Sequence, residues 1–215
     1  MPTKTIVNKS LIFSIAFIVL SFFVSVSYIN AYPEPALTSP SWVLDFTYQT
    51  PEAISVRDTE GQIRWFWFIV YKVVNNTGED RLFIPEITIA DDQGSITTAG
   101  QDIPMSVFPA VKANLNNPFL ESPIEVIGKI MQGEDYARES VAIWPVSEVD
   151  VDEFTMFISG ISGETTTIQS PQTGEQVLMR RTLMLRFATP GSPTAETHSP
   201  QKQPIVLLDE QYVMR

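Results

Sequence analysis

Residues 63–75, IRWFWFIVYKVVN, decide the fold class. The run is rich in aromatic and β-branched residues, which suit a pleated surface. Successive side chains of a strand point to opposite faces. One face then carries Ile63, Trp65, Trp67, Ile69, Tyr71 and Val73, and the other Phe66, Phe68, Val70, Lys72 and Val74. Both faces are apolar for most of their length, whereas a strand of an antiparallel two-layer protein normally meets water on one side. Something must cover the second face. One expectation is internal: the Pro-rich residues 103–123, or the C-terminal strand, pack over it. The other is functional: Trp65, Trp67 and Tyr71 form an exposed platform that stacks on sugar rings or anchors a protein partner.

Working outward, residues 42–48 alternate, with Trp42, Leu44, Phe46 and Tyr48 on one side, until Pro51 ends the strand. After the central strand, residues 76–80 (NTGED) supply turn chemistry. Residues 82–90 resume as an edge or broken strand, because Pro85 lies inside them. Asp92, Gln93 and Gly94 form a hairpin-type turn into residues 95–98. Residues 103–123, with four Pro and three Asn, read as a long connection in which residues 109–115 make one or two helical turns. Further strands are expected at 124–131, 140–146, 154–158 and 176–188. In the last of these Arg181, Leu183, Leu185 and Phe187 oppose Arg180, Thr182, Met184 and Arg186. A Pro/Ser/Thr loop over 189–203 leads to a short strand at 205–208. About eight short strands without a long amphipathic helix predict an all-β, antiparallel, immunoglobulin-like β-sandwich over residues 42–215. The Cys…Trp…Cys pattern of antibody domains is missing, so "immunoglobulin-like" describes architecture only.

Residues 68–80, FIVYKVVNNTGED, carry a strand ending in V-x-N-x-T/S-G/D, and Gly133-Glu134 precedes Val141-Ala-Ile-Trp-Pro145. Together these resemble a family of uncharacterised exported bacterial immunoglobulin-like β-sandwich proteins, over roughly residues 42–188. The resemblance implies a sandwich fold and an envelope location. It brings no catalytic residues to carry over.

Residues 10–29 contain no charge, Pro or Gly and follow Lys4 and Lys9. A basic start and an apolar run that gives way to Pro-containing sequence are the layout of an export signal or an N-terminal membrane anchor. Twenty residues rising about 1.5 Å each just cross roughly 30 Å of hydrocarbon. Residues 1–31 therefore read either as a signal peptide cleaved after Ala31 or as a helix retained in the inner membrane, with residues 32–41 as a tether. Either way the remainder is expected outside the cytoplasm, in the periplasm or secreted.

All 25 acidic residues and 12 of the 14 basic ones lie after Ala31, leaving a formal charge of −13 on that part. Such a surface repels phosphate backbones, so nucleic acid is not an expected partner. There is no Cys, which excludes thiol catalysis and Cys-based metal sites. The one histidine, His198, sits in loop-like sequence. Asn75-Asn-Thr77 is a formal glycosylation sequon that reads most simply as a turn.

Glu148-Val-Asp-Val-Asp-Glu153 and Asp91-Asp92 are the carboxylate clusters. Calcium takes six to eight oxygen ligands and suits loops of extracellular sandwiches, so Asp150, Asp152 and Glu153 are the candidate metal ligands, against a solvated acidic loop. No hydrolase motif, phosphate loop or dinucleotide fingerprint is present, and no catalytic residue or cofactor other than calcium is nominated. The expectation is a non-catalytic envelope or secreted module, structural or protein-binding. A carbohydrate-binding module using Trp65, Trp67 and Tyr71 is the second reading, and an envelope hydrolase the third. Candidate partners are the membrane, through an uncleaved leader, and an envelope protein or glycan.

Overall fold

The aromatic run forms β3 (Ile63–Val74), the centre of the first sheet. A computed structural model describes residues 42–57, 61–146, 151–171, 173–189 and 205–215, all within one unit spanning Pro33–Arg215. Along one edge β3 pairs with β8 (Arg138–Pro145). Along the other it pairs with β1 (Asp45–Tyr48) and then β2 (Glu52–Arg57). Tyr48 lies opposite Tyr71 and Glu52 opposite Phe68, so three residues, Gln49 to Pro51, face the two residues Ile69 and Val70. This is a β-bulge at the residue that cannot donate to the ladder. It reverses which residues face inward: Phe46 and Tyr48 of β1 join one core cluster, while Ile54 and Val56 of β2 join the other.

The second sheet is built on β11 (Gln176–Ala188). The N–H of Arg180 donates to Arg215 on one side and that of Arg181 to Glu164 on the other. Accordingly β12 (Val206–Met214) lies along one edge, and β9 (Glu153–Ser159) and β10 (Thr165–Gln169) along the other. Beyond β9 come β5 (Glu86–Asp91) and β6 (Ile96–Thr98). A ribbon of β4 (Arg81–Phe83) and β7 (Gly128–Ile130) completes the set. As Pro85 predicts, the strand expected at 82–90 is broken there into β4 and β5. Every ladder is antiparallel, the sheets do not close into a barrel, and 54% of the described residues are in strands against 7% in helices.

Two apolar layers hold these sheets. The odd-numbered face of β3 gives Trp67, Ile69, Tyr71 and Val73 to a cluster with Ile87, Ile89, Phe154, Met156, Ile158, Leu183, Leu185 and Phe187 of the second sheet. Phe154 sits at its centre, with ring centroids 6.2 Å from Trp67, 5.7 Å from Trp144 and 5.3 Å from Phe187. The even-numbered face gives Phe66, Phe68 and Val70 to a second cluster. This one is closed by Val107 and Val111 of α1 (Val107–Asn114) and by Leu120. The Pro-rich segment is thus the roof over the aromatic strand. The other candidate cover, the C-terminal strand, belongs instead to the second sheet.

The same packing corrects the platform reading at Trp67 and Tyr71. Trp67 is 7% and Tyr71 3% exposed, and Trp65 is partly buried. A ring enclosed between two sheets has no free face for a sugar.

Among the described residues twelve strands stand where about eight were expected. The polar β10 and the short β2 were unforeseen, and β12 runs nine residues rather than four. The strand expected at 124–131 is a turn followed by three residues of β7: Val126 is buried, but Ile124 and Ile127 face outward. No helix among the described residues is long and apolar enough to cross a membrane. The leader at 10–29, the tether at 32–41, Glu148, Asp150 and His198 lie outside the described residues.

Candidate functional site

The two sheets treat their outer faces differently. The first is roofed by the chain itself. On the second, even-numbered residues of β5 and β11 and odd-numbered residues of β9 point away from the shared core. Register places Glu86 opposite Ser159 and Thr88 opposite Phe157. It places Phe157 opposite Met184 and Thr182 opposite Val213. Phe157, Met184 and Val213 form a small buried apolar cluster there.

Beside that cluster lies a groove of about 260 Å³, lined by Glu86, Thr88, Phe157, Ser159, Leu178, Arg180, Thr182 and Arg215. Arg215, directly after β12, crosses the sheet. Its guanidinium carbon lies 4.0 Å from the centroid of Phe157, and one terminal nitrogen donates to Thr88 Oγ1 at 2.8 Å. A cation over an aromatic face is held electrostatically as well as by packing, so this side chain is fixed across three strands. Arg180 and Arg215 are also joined through their backbones, each N–H donating to the other's carbonyl. Leu178, 55% exposed, gives the groove an apolar wall.

The hydroxyls are not equivalent. Ser159 Oγ donates to the Glu86 carbonyl and Thr182 Oγ1 to that of Arg180, so both protons are engaged by backbone. Thr88 Oγ1 accepts from Arg215 and keeps its own proton free to donate. Lys72, Arg81, Lys129, Arg138, Arg181 and Arg186 each pair with a carboxylate. Among the described residues Arg57, Arg64, Lys112, Arg180 and Arg215 have no such ion pair, Arg57 and Lys112 donating instead to the carbonyls of Gly61 and Leu120.

The remaining candidates fall elsewhere. Glu153 is paired with Arg186 at 3.7 Å. The N–H of Asp152 donates to Asp92 Oδ2 at 3.0 Å. Local desolvation pulls the carboxyl of the exposed Asp92 up, but hydrogen bonds from Asp152, Gln93 and Glu153 outweigh it and hold the group below its ordinary value. No three His, Cys, Asp or Glu side chains among the described residues form a metal-binding group. Asn75 is fully buried, its amide donating to the carbonyls of Glu79 and Ile130 while its oxygen accepts from the N–H and hydroxyl of Thr77. That side chain is a turn fastener and is not accessible to modification.

No family model matches the chain, and neither the curated proteins nor the solved structures compared with it show a match. The groove therefore rests on its own geometry. Sequence reading missed it as a site: its residues are scattered from 86 to 215 and only strand register brings them together. The one signal available was the face Arg180, Thr182, Met184 and Arg186 of β11, where cations sit on the polar side of a strand in an acidic chain.

Proposed function

We propose that this chain is a non-catalytic module of immunoglobulin-like sandwich architecture that works outside the cytoplasm and binds a partner in the groove of its second sheet. The observation that carries this reading is the asymmetry of the outer faces. Residues 103–120 seal the first, while the second leaves open a groove of about 260 Å³ in which Thr88, Arg180 and Arg215 lie beside an apolar wall. Binding sites combine apolar surface with a few placed polar groups, and this groove has that composition. The two facing antiparallel sheets support the architecture, and the leader at 10–29 supports export, by cleavage or by retention in the membrane.

Site-specific photo-crosslinking tests the reading. A benzophenone amino acid replaces Leu178 in the groove or Phe119 on the outside of the roof, in the full chain produced in an exporting bacterium. Expected is an extracytoplasmic protein that forms a discrete adduct from position 178 and not from 119. A cytoplasmic product, or equal labelling from both positions, overturns it.

A further inference from the structure

We infer that the free edge of β10 pairs with β10 of a second copy of this chain, antiparallel and centred on Thr167. The pairing goes beyond the groove and does not depend on it. Three features carry it: the backbone directions in the ribbon of β10 and β11, the composition of β10, and the way the remaining edges are protected.

Arg180 exchanges both backbone hydrogen bonds with Arg215, so its N–H and carbonyl face β12. Thr165 lies opposite Arg180 and therefore turns its own backbone groups away from β11. These directions alternate along a strand, so Thr167 and Gln169 do the same, while Thr166 and Ile168 serve the ladder with Met179 and Val177. Among the described residues nothing bonds to the outward N–H and carbonyl groups of Thr165, Thr167 and Gln169. All three residues are exposed, which leaves this row of donors and acceptors open to solvent.

An unpaired edge invites a further strand, and proteins blunt such edges with charge, proline, bulges, shortness or a cover. The other edges among the described residues are blunted in these ways. β12 carries Asp209 and Glu210 side by side, next to a register shift. The edge formed by β1 and β2 is bent at Pro51 and bears Asp45, Glu52 and Arg57. β8 is bridged by Glu121, and β4, β6 and β7 are three residues each. On the β12 side of the ribbon only Gln176 and Leu178 turn their backbone groups outward, too few for a ladder. β10, TTTIQ, has no charge, proline or bulge over five residues.

Such an edge takes an extended strand, and the strand that matches it is its own. Two β10 strands crossing at Thr167 set Thr167 opposite Thr167 of the copy and Thr165 opposite Gln169 of the copy. Every residue in these pairs has both backbone groups turned towards its partner, so each pair exchanges both hydrogen bonds. Cross-strand Thr pairs are favourable, whereas like charges directly opposite each other are not. No charge opposes a charge here: Glu164, just outside the ladder, meets Ser170 of the copy and is already held by Arg181. On the reverse face Thr166 meets the half-buried Ile168 of the copy, next to the exposed Val177.

The chain has no Cys, so introduced cysteines report the register directly. Opposed Cα atoms in such a pair stand about 5.5 Å apart, within reach of a disulfide, whereas the two Thr165 residues of the dimer stand about 13 Å apart. Expected of the full chain in detergent, under mild oxidation, is a disulfide dimer from Thr167→Cys and from the double variant Thr165→Cys, Gln169→Cys, and none from Thr165→Cys alone. In analytical ultracentrifugation the unsubstituted chain is expected to self-associate, with affinity weaker by about tenfold or more in Thr167→Pro. Proline there removes an N–H that only the second copy uses, so the ladder with β11 and the melting temperature are retained. Thr167→Lys leaves the backbone as it is and brings two cations together, so it should weaken association too, and less at high salt. Equal association of the unsubstituted chain, Thr167→Pro and Thr167→Lys places the contact elsewhere, the apolar leader included, and overturns the pairing. A monomeric unsubstituted chain overturns it, as does cross-linking from Thr165→Cys as ready as from Thr167→Cys. The groove is tested apart from the edge, because an adduct formed from position 178 in the Thr167→Pro variant does not come from the paired copy.

Discussion

Gly160 lies so close beneath Ile84 that a β-carbon on it would stand 2.2 Å from the Ile84 carbonyl oxygen. Its φ of +86° is also one that side-chain-bearing residues rarely adopt. The contact joins the end of β9 to the backbone just before Pro85, where the edge strand is broken. Gly160→Ala is expected to cost about 1–3 kcal/mol from backbone strain alone, and more from the displaced carbonyl. Denaturant unfolding measures it. A loss under about 0.5 kcal/mol, ordinary for a surface site, would refute the close approach.

Trp67→Ala removes a ring packed against Phe154 and should lower stability by about 3–5 kcal/mol, the usual cost at a buried Trp. In single Trp→Phe variants, position 67 should account for blue, iodide-resistant emission and the partly buried position 65 for a redder, more readily quenched component. Red-shifted, quenchable emission from Trp67 would instead place it at the surface.

Tyr71 predicts an alkaline transition. Burial pushes its phenol up from 10.0 to about 12, against an opposing hydrogen bond with Ser140. A group whose folded value is raised contributes stability that is present in full below about pH 10 and lost as pH rises towards 12. The loss is on the order of 3 kcal/mol by proton linkage. Tyr71→Phe keeps the ring and removes the proton, so the stability difference between the two proteins should shift by that amount between pH 10 and 12. Parallel curves for wild type and variant would mean that Tyr71 ionises at its ordinary value.

Asn75 makes a separate case. Asn75→Ala removes the amide donor from the buried Ile130 carbonyl and leaves the Thr77 N–H without its acceptor, while the Glu79 carbonyl keeps donors from Gln132 and Thr77. An expected loss of about 1–3 kcal/mol follows from stranding buried polar groups. Faster amide exchange in β7, held to this turn through Ile130, should accompany it. Unchanged exchange there would show that the turn stands without its fastener.

The legible part of the fold was the part whose side chains obey one period. β3 and β11 are long, apolar on a buried face and flanked by turn residues, so their bounds read almost to the residue. Pro85 announced its own break. β10, TTTIQ, is exposed along most of its length and has no apolar face to declare it. β2 follows a proline, and β12 continues past the short strand expected at 205–208 through the polar Asp209, Glu210 and Gln211. Conversely, Ile124, Ile127 and Met131 advertised a strand although all three point to solvent. Hydrophobicity records what a chain can bury, and the roof spends its own on Val107, Val111 and Leu120. The groove was illegible for a different reason: Thr88, Phe157, Arg180 and Arg215 are neighbours only through the pairing of four strands.

The bulge at Gln49–Pro51 has a consequence for how this chain tolerates change. Upstream of it even-numbered residues serve the inter-sheet layer, and downstream they serve the roofed layer. The three residues act as a phase shifter between two alternating codes. Their individual identities matter less than their number. Removing one would exchange Ile54 and Val56 with Ser55 and Arg57, sending charge beneath the roof and aliphatic chains to the wrong side. Length, rather than composition, is the constrained quantity at this point of the chain.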